Sequence, residues 1–187
     1  IMGIAVICGS SRKNGNTETL VNRLIDGLDA VKIRLCDYHV KAVEDYRHSE
    51  GSPVYPDDDY RDLLSRILDK NDIIFATPIY WYGMSGLMKH FVDRWSQSLV
   101  EIGRDDFKRQ MSTKTAYVIA VGDDVPHIKG LPLIQQFQYI FDFMGMTFGG
   151  YLIGKANQPG SILNDRAALV SVNELKQQLT ANKRWKA

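Results

Sequence analysis

Residues 4–17 read Ile4-Ala5-Val6-Ile7-Cys8-Gly9-Ser10-Ser11-Arg12-Lys13-Asn14-Gly15-Asn16-Thr17, and this stretch decides the fold. Its first five residues are apolar and rich in β-branched side chains, which predicts a short strand covered on both faces. The residues from Gly9 to Thr17 are polar or glycine, and a stripe at Leu20, Val21, Leu24, Ile25 and Leu28 then predicts an amphipathic helix. The polar stretch therefore lies where a buried strand hands over to a helix.

The same alternation extends to the end of the chain. Val31 to Leu35, Ile73 to Thr77, Thr115 to Val121 and Thr147 to Ile153 read as further strands, mostly too apolar for a surface position. Val31 to Leu35 alternates in polarity and is expected at an edge. Helical stripes fall at Leu63, Leu64, Ile67 and Leu68, at Leu87, Met88, Phe91, Val92 and Trp95, and at Ile134, Phe137, Ile140, Phe141 and Met144. The last lies at Leu169, Val172, Leu175 and Leu179. Strand and helix repeated five times require right-handed crossovers, hence an α/β fold with a doubly wound, five-stranded parallel sheet. The expected strand order is 2-1-3-4-5, with a ligand crevice at the carboxyl ends of strands one and three.

The chain has 187 residues, 44% hydrophobic and 24% charged, which fits a single globular domain over 1–187. A chain of this size buries roughly 70% of its unfolded surface without staples. Lys and Arg number 23 against 22 Asp and Glu, so the near-neutral balance argues against a nucleic-acid binder and against a strongly acidic electron shuttle. Apolar runs are strand-sized and no basic flank leads into one, so neither a signal peptide nor a transmembrane helix is expected. Cys8 and Cys36 form no CxxC pair, and the location expected is a reducing cytoplasm. The connections Cys36 to Pro56 and Ser96 to Lys114 are long enough to be lids or interaction loops. The first carries Tyr38, His39, Tyr46, Arg47, His48 and Tyr55 and could cover a ligand.

A helix N-terminus presents unpaired amides and positive dipole, and the hydroxyls of Ser10, Ser11 and Thr17 with Arg12 would complete an anion cradle. Walker A spacing fails, because five residues separate Gly9 from Gly15 and Asn16 stands where the lysine belongs. The dinucleotide fingerprint fails as well, because Ser11 occupies the second glycine position. A terminal monophosphate remains, or a plain turn in which Asn16 or Thr17 caps the helix. After strand three comes Thr77-Pro78-Ile79-Tyr80-Trp81-Tyr82-Gly83-Met84-Ser85-Gly86. Its three aromatics would wall a planar ring if exposed at the crevice, or pack as core; Gly83 and Gly86 would permit close approach or positive φ. One ligand with a monophosphate and a flat heteroaromatic ring satisfies both loops, and FMN is such a ligand.

GSSRKNGNT followed by TPIYWYGMSGLMKHFVDR resembles the flavodoxin-like NAD(P)H-dependent FMN reductase family. The branch is the one similar to iron-sulfur flavoproteins and small quinone or flavin oxidoreductases. The resemblance spans roughly Met2 to Gly122. It implies that Ser10, Arg12, Asn16 and Thr17 hold the FMN phosphate, with Ser11 and Asn14 beside them. By the same resemblance Pro78, Ile79, Tyr80, Trp81 and Gly83, with Tyr82 in the same run, contact the ring and ribityl. Gly122 and Asp123 would line the ring's other edge. Asp123 and Asp124 depart from a glycine-rich pattern there and are expected to point to solvent, since acidic groups disfavour an anionic reduced ring.

After strand two the iron-sulfur relatives carry a cysteine cluster, whereas this chain has only Cys36, so no cluster is expected. His39, His48, His90 and His127 lack metal-ligand spacing, and no metal site is expected. Asp57-Asp58-Asp59 reads as a helix N-cap. The function implied is an oxidoreductase that takes hydride from NADH or NADPH at flavin N5 and reduces a small acceptor, namely a quinone, flavin, nitro or azo compound. The alternative is a flavodoxin-type electron carrier, or a protein that kept the fold and lost the cofactor. No catalytic acid or base is required. A homodimer or homotetramer is expected from apolar Leu99, Val100, Ile102 and Phe107 in the second long connection and from the family resemblance.

Overall fold

Along β1 (Ile4–Cys8) the side chains alternate between two cores. Ile4 and Val6 join Leu20, Leu24, Val172 and Leu179 on one face, while Ala5 and Ile7 join Tyr60, Phe91, Phe137 and Phe141 on the other. This double burial is the physical reason for the unbroken apolar run. The computed structural model describes residues 3–46, 51 and 53–185. In it β1 pairs in parallel with β2 (Ala30–Arg34) and β3 (Asp72–Pro78), opposing Ile4 to Ala30 and to Asp72. The strands β4 (Thr115–Gly122) and β5 (Thr147–Lys155) follow, giving the order β2-β1-β3-β4-β5, all parallel, as expected.

The helices are α1 (Asn16–Ile25), α2 (Tyr60–Leu68), α3 (Gly86–Asp93) and α4 (Trp95–Glu101), then α5 (Arg104–Ser112), α6 (Pro126–Lys129), α7 (Leu131–Met144) and α8 (Arg166–Trp185). The apolar stripes of α1 and α8 cover one face of the sheet, and those of α2, α3 and α7 cover the other. No described helix is long and apolar enough to cross a membrane.

Four expectations are corrected. The connection Ser96 to Lys114 is not a loop: it holds most of α4 and all of α5, with a break at Gly103, whose φ is +93°. These helices are short and polar, and each buries few apolar side chains, Phe107 and Met111 in α5, so no stripe stands out in the sequence. Strand β5 is the second edge rather than a fully covered strand; only Leu152 to Gly154 are buried along it.

The third concerns Cys36 to Pro56. The described part of this connection packs against the core beside α2 and does not line the crevice. It is pinned by Asp58, whose buried carboxylate meets the buried Arg94 guanidinium at 2.6 and 3.2 Å. The N-cap position of α2 is Asp59, which makes no side-chain cap bond and instead accepts the His39 N–H, while Asp58 accepts the Tyr60 N–H, so the expected capping role is corrected. Arg47 and His48 lie outside the described residues.

Candidate active site

A cleft of about 240 Å3 opens at the carboxyl ends of β1, β3 and β4. Ser10, Arg12, Gly15, Asn16 and Thr17 line it from the loop after β1 and the start of α1, Pro78, Ile79 and Tyr80 from the end of β3, and Val121, Gly122 and Asp123 from the end of β4. The crevice is where the strand order reverses, as the topology requires.

After the β1 loop, α1 starts without a side-chain cap. Its N-cap is Gly15 in extended conformation, so neither Asn16 nor Thr17 caps the helix. The amides of Asn16, Thr17 and Glu18 find no acceptor among the described residues, Thr17 Oγ1 is unbonded, and the exposed Arg12 guanidinium has no carboxylate partner. Orphan amides, a free hydroxyl and a free cation facing one cleft are groups suited to an anion. Asn16 is largely occupied elsewhere: its amide nitrogen donates to Gln158 O at 2.8 Å and its oxygen accepts from Ile162 N–H at 3.3 Å. Ser10 Oγ accepts from the Arg12 N–H at 3.3 Å and shapes the turn. Ser11 and Asn14 are exposed and do not line the cleft; Asn14, at φ +54°, turns the loop.

The segment after β3 is held by close backbone approaches. A Cβ on Gly9 would stand 2.8 Å from Ser85 Oγ and 2.9 Å from Met88 Cβ, so only glycine lets α3 start this near β1. Ser85 Oγ donates to Gly9 O at 2.6 Å and accepts from the Met88 N–H as the α3 cap. A Cβ on Gly122 would meet Ile79 at 3.1 Å, so Ile79 packs directly on the β4 backbone.

The aromatic run is divided by a tight turn. Tyr80 and Gly83 exchange both backbone hydrogen bonds at 3.0 Å, and Trp81 and Tyr82 between them lie at φ +49° and +65°. A two-residue hairpin of this kind favours Asn-Gly, and two aromatics there are strained. Tyr80 alone lines the cleft; Trp81, 96% exposed, Tyr82 and Gly83 do not. The alternative that the three aromatics pack as core is corrected, since all three are exposed. Gly83 and Gly86 adopt no positive φ and face no close approach. Tyr82 Oη donates to Asp124 Oδ2 at 2.9 Å, and Lys129 Nζ donates to the same oxygen at 2.7 Å. The Lys129 bond, with that of Tyr82, holds the Asp124 carboxyl below its usual range. Replacing Trp81 by Asn together with Tyr82 by Gly should raise unfolding stability by about 1–2 kcal/mol. A lower midpoint in urea would mean that the aromatics anchor the turn.

Ala156 and Asn157, after β5, also line the cleft and were missed. Asn157 Nδ2 donates to Asp123 Oδ2 at 2.8 Å, and the Ala156 N–H donates to Gly122 O at 2.8 Å. Their signal was positional: Ala156-Asn157-Gln158-Pro159-Gly160 is a polar turn at the carboxyl edge of the sheet. Asp123 and Asp124 are exposed, as expected. Among the described residues no three His, Cys, Asp or Glu side chains gather as a metal site.

The sequence model of the NADPH-dependent FMN reductase family matches residues 2–158. The chain belongs to that family. A Bacillus subtilis protein named as an NAD(P)H-dependent FMN-containing oxidoreductase is 52% identical over 96% of this chain and 99% of its own. The solved structure of a Trp repressor binding protein from the same organism matches with a TM-score of 0.77 and 49% identity, covering 92% of this chain and 96% of that one. An iron-sulfur flavoprotein of Methanocaldococcus jannaschii is 27% identical over 95% of each chain.

As a family member the chain is an FMN- and NAD(P)H-dependent oxidoreductase, and the electron-carrier reading gives way to that of an enzyme. Its two cysteines, one buried, cannot supply the four thiolates of a tetranuclear cluster from one chain. The cleft fits FMN in chemistry: groups suited to an anion from the loop after β1, and apolar and aromatic side chains, Ile79, Tyr80 and Val121, from the ends of β3 and β4.

Proposed function

We propose that this cleft binds FMN and that the enzyme passes electrons from NADH or NADPH to a small planar acceptor, a quinone, free flavin, nitro or azo compound. Thr17 Oγ1, the Arg12 guanidinium and the α1 amides hold the phosphate, while Pro78, Ile79, Tyr80 and Gly122 orient the ring. The flavin, when bound, supplies the chemistry by accepting hydride at N5. The protein's part is to bind and orient it and to aim amides of the β3 loop at the polar edge of the ring. One observation carries the reading: the unpaired cation and orphan amides face the same cleft as Tyr80, on the edge where the topology puts a ligand. Two free cysteines suit a reducing cytoplasm.

The assembly proposed is a homodimer or homotetramer. Of the four apolar residues read in the sequence, Val100 is 58% exposed, whereas Phe107 is fully buried and Leu99 and Ile102 pack against the core. Further exposed apolar surface lies in the segments after β3 and β4, where Trp81, Val125 and Ile128 are 96%, 50% and 68% exposed. Anaerobic addition of NADH or NADPH to flavin-loaded protein should bleach the flavin absorbance, and a quinone should restore it over many turnovers. Sedimentation of the same sample should give a species above 21.2 kDa. Failure of both nicotinamides to reduce the bound flavin would overturn the reading.

A further inference from the structure

The loop with the free Arg12 also holds a buried carboxylate. Glu18, in the first turn of α1, is 4% exposed, and its Oε2 accepts the Asn14 N–H at 2.8 Å. That bond fixes Asn14 in its left-handed conformation and so fixes the path of the loop from Arg12 to Gly15. Glu18 Oε1 lies 3.0 Å from Lys32 Nζ and 3.2 Å from Arg34 Nε. Both cations stand on β2, which contributes nothing to the cleft.

An ionised carboxylate in the first turn suits the helix dipole, yet in a loop that receives a phosphate dianion it is a repulsive charge. Burial alone raises the Glu18 pKa, but the bonds from Lys32 and from the Asn14 N–H, with Arg34 nearby, bring it below its usual value. Glu18 is therefore charged at neutral pH, and its charge has to be cancelled locally. Lys32, which also donates to Asn22 Oδ1 at 2.9 Å, and Arg34, which also pairs with Asp37 at 3.0 Å, are held in place to do so.

We propose that Lys32 and Arg34 are positioning residues for the FMN phosphate: from the neighbouring strand they lock Glu18 against the loop and neutralise it, so that the loop keeps its shape and accepts a dianion. The proposal rests on the reading that this loop binds the phosphate. It goes beyond that reading by making flavin affinity depend on two side chains that never touch the ligand.

Riboflavin, which has the ring and lacks the phosphate, separates this from a fold defect. Flavin fluorescence titration of the apoprotein with Lys32→Met or Arg34→Met should show FMN bound about tenfold more weakly and riboflavin bound within about twofold of the original. Adding Glu18→Gln, which keeps an oxygen for the Asn14 N–H and removes the charge, should bring FMN affinity back to within about threefold. If Lys32→Met does not fold, Lys32→Gln carries the same test. Unchanged FMN affinity, equal loss of both flavins, or no recovery in the double variant overturns the proposal. An unsubstituted protein that binds neither flavin overturns the phosphate reading itself, and the proposal with it.

Discussion

Asp58→Ala is expected to destabilise the protein by about 3–5 kcal/mol, because it leaves the Arg94 guanidinium buried without its anion. Both side chains of the pair are fully buried. Arg94 also donates to Lys41 O at 3.1 Å and to Gln97 Oε1 at 2.8 Å, and its guanidinium lies 4.7 Å from the centre of the Tyr60 ring. None of these replaces a carboxylate. Burial raises the Asp58 pKa, but the Arg94 bond, with the Lys41 and Tyr60 amides, brings it below its usual value. A depressed folded-state value stabilises the fold above the unfolded pKa of about 3.9, and that contribution is lost as pH falls through the folded value. Chemical denaturation at neutral pH measures the loss. Asp58→Leu with Arg94→Met, which removes both charges, should recover most of it. A double variant as unstable as Asp58→Ala would show that the pair acts through the loop's packing rather than through its charge.

Thr17→Val should weaken FMN binding by about ten- to a hundredfold, the equivalent of a hydrogen bond to a charged group worth about 1.5–3 kcal/mol. The substitution keeps the β-branched shape of a residue that is only 3% exposed, and it removes a hydroxyl that makes no hydrogen bond among the described residues. The fold should therefore lose little stability while the ligand loses a partner. Titration of the apoprotein with FMN reads the first effect and thermal unfolding without flavin the second. An unchanged FMN affinity would mean that the phosphate lies nearer Arg12 and leaves Thr17 as a wall of the cleft.

The two predictions sit on opposite sides of what a linear sequence can disclose. Thr17 was legible. It follows a run of five apolar residues and precedes a helical stripe, so its place at a helix N-terminus on the crevice side of a parallel sheet follows from local periodicity and topology. The pairing of Asp58 with Arg94 was not legible, because nothing in Asp57-Asp58-Asp59 says that a guanidinium 36 positions away will be buried against one of the three.

The sequence by itself determined the sheet, its order, the family and the loops after β1, β3 and β4 that meet at the cleft, but not the segment after β5. These depend on hydrophobic period and on the residues next to each strand end, both local in the chain. The tertiary structure alone decided which polar side chains remain free. Asn16 is consumed by Gln158 and Ile162, Glu18 by two cations of β2, and Tyr82 by Asp124, while the Arg12 and Thr17 side chains have no partner among the described residues. Such assignments depend on partners brought together by folding, so residue type and spacing cannot carry them. The turn at Trp81 and Tyr82 adds a further case: its left-handed backbone runs against the preference of both residues and is imposed by the bonds that close Tyr80 on Gly83.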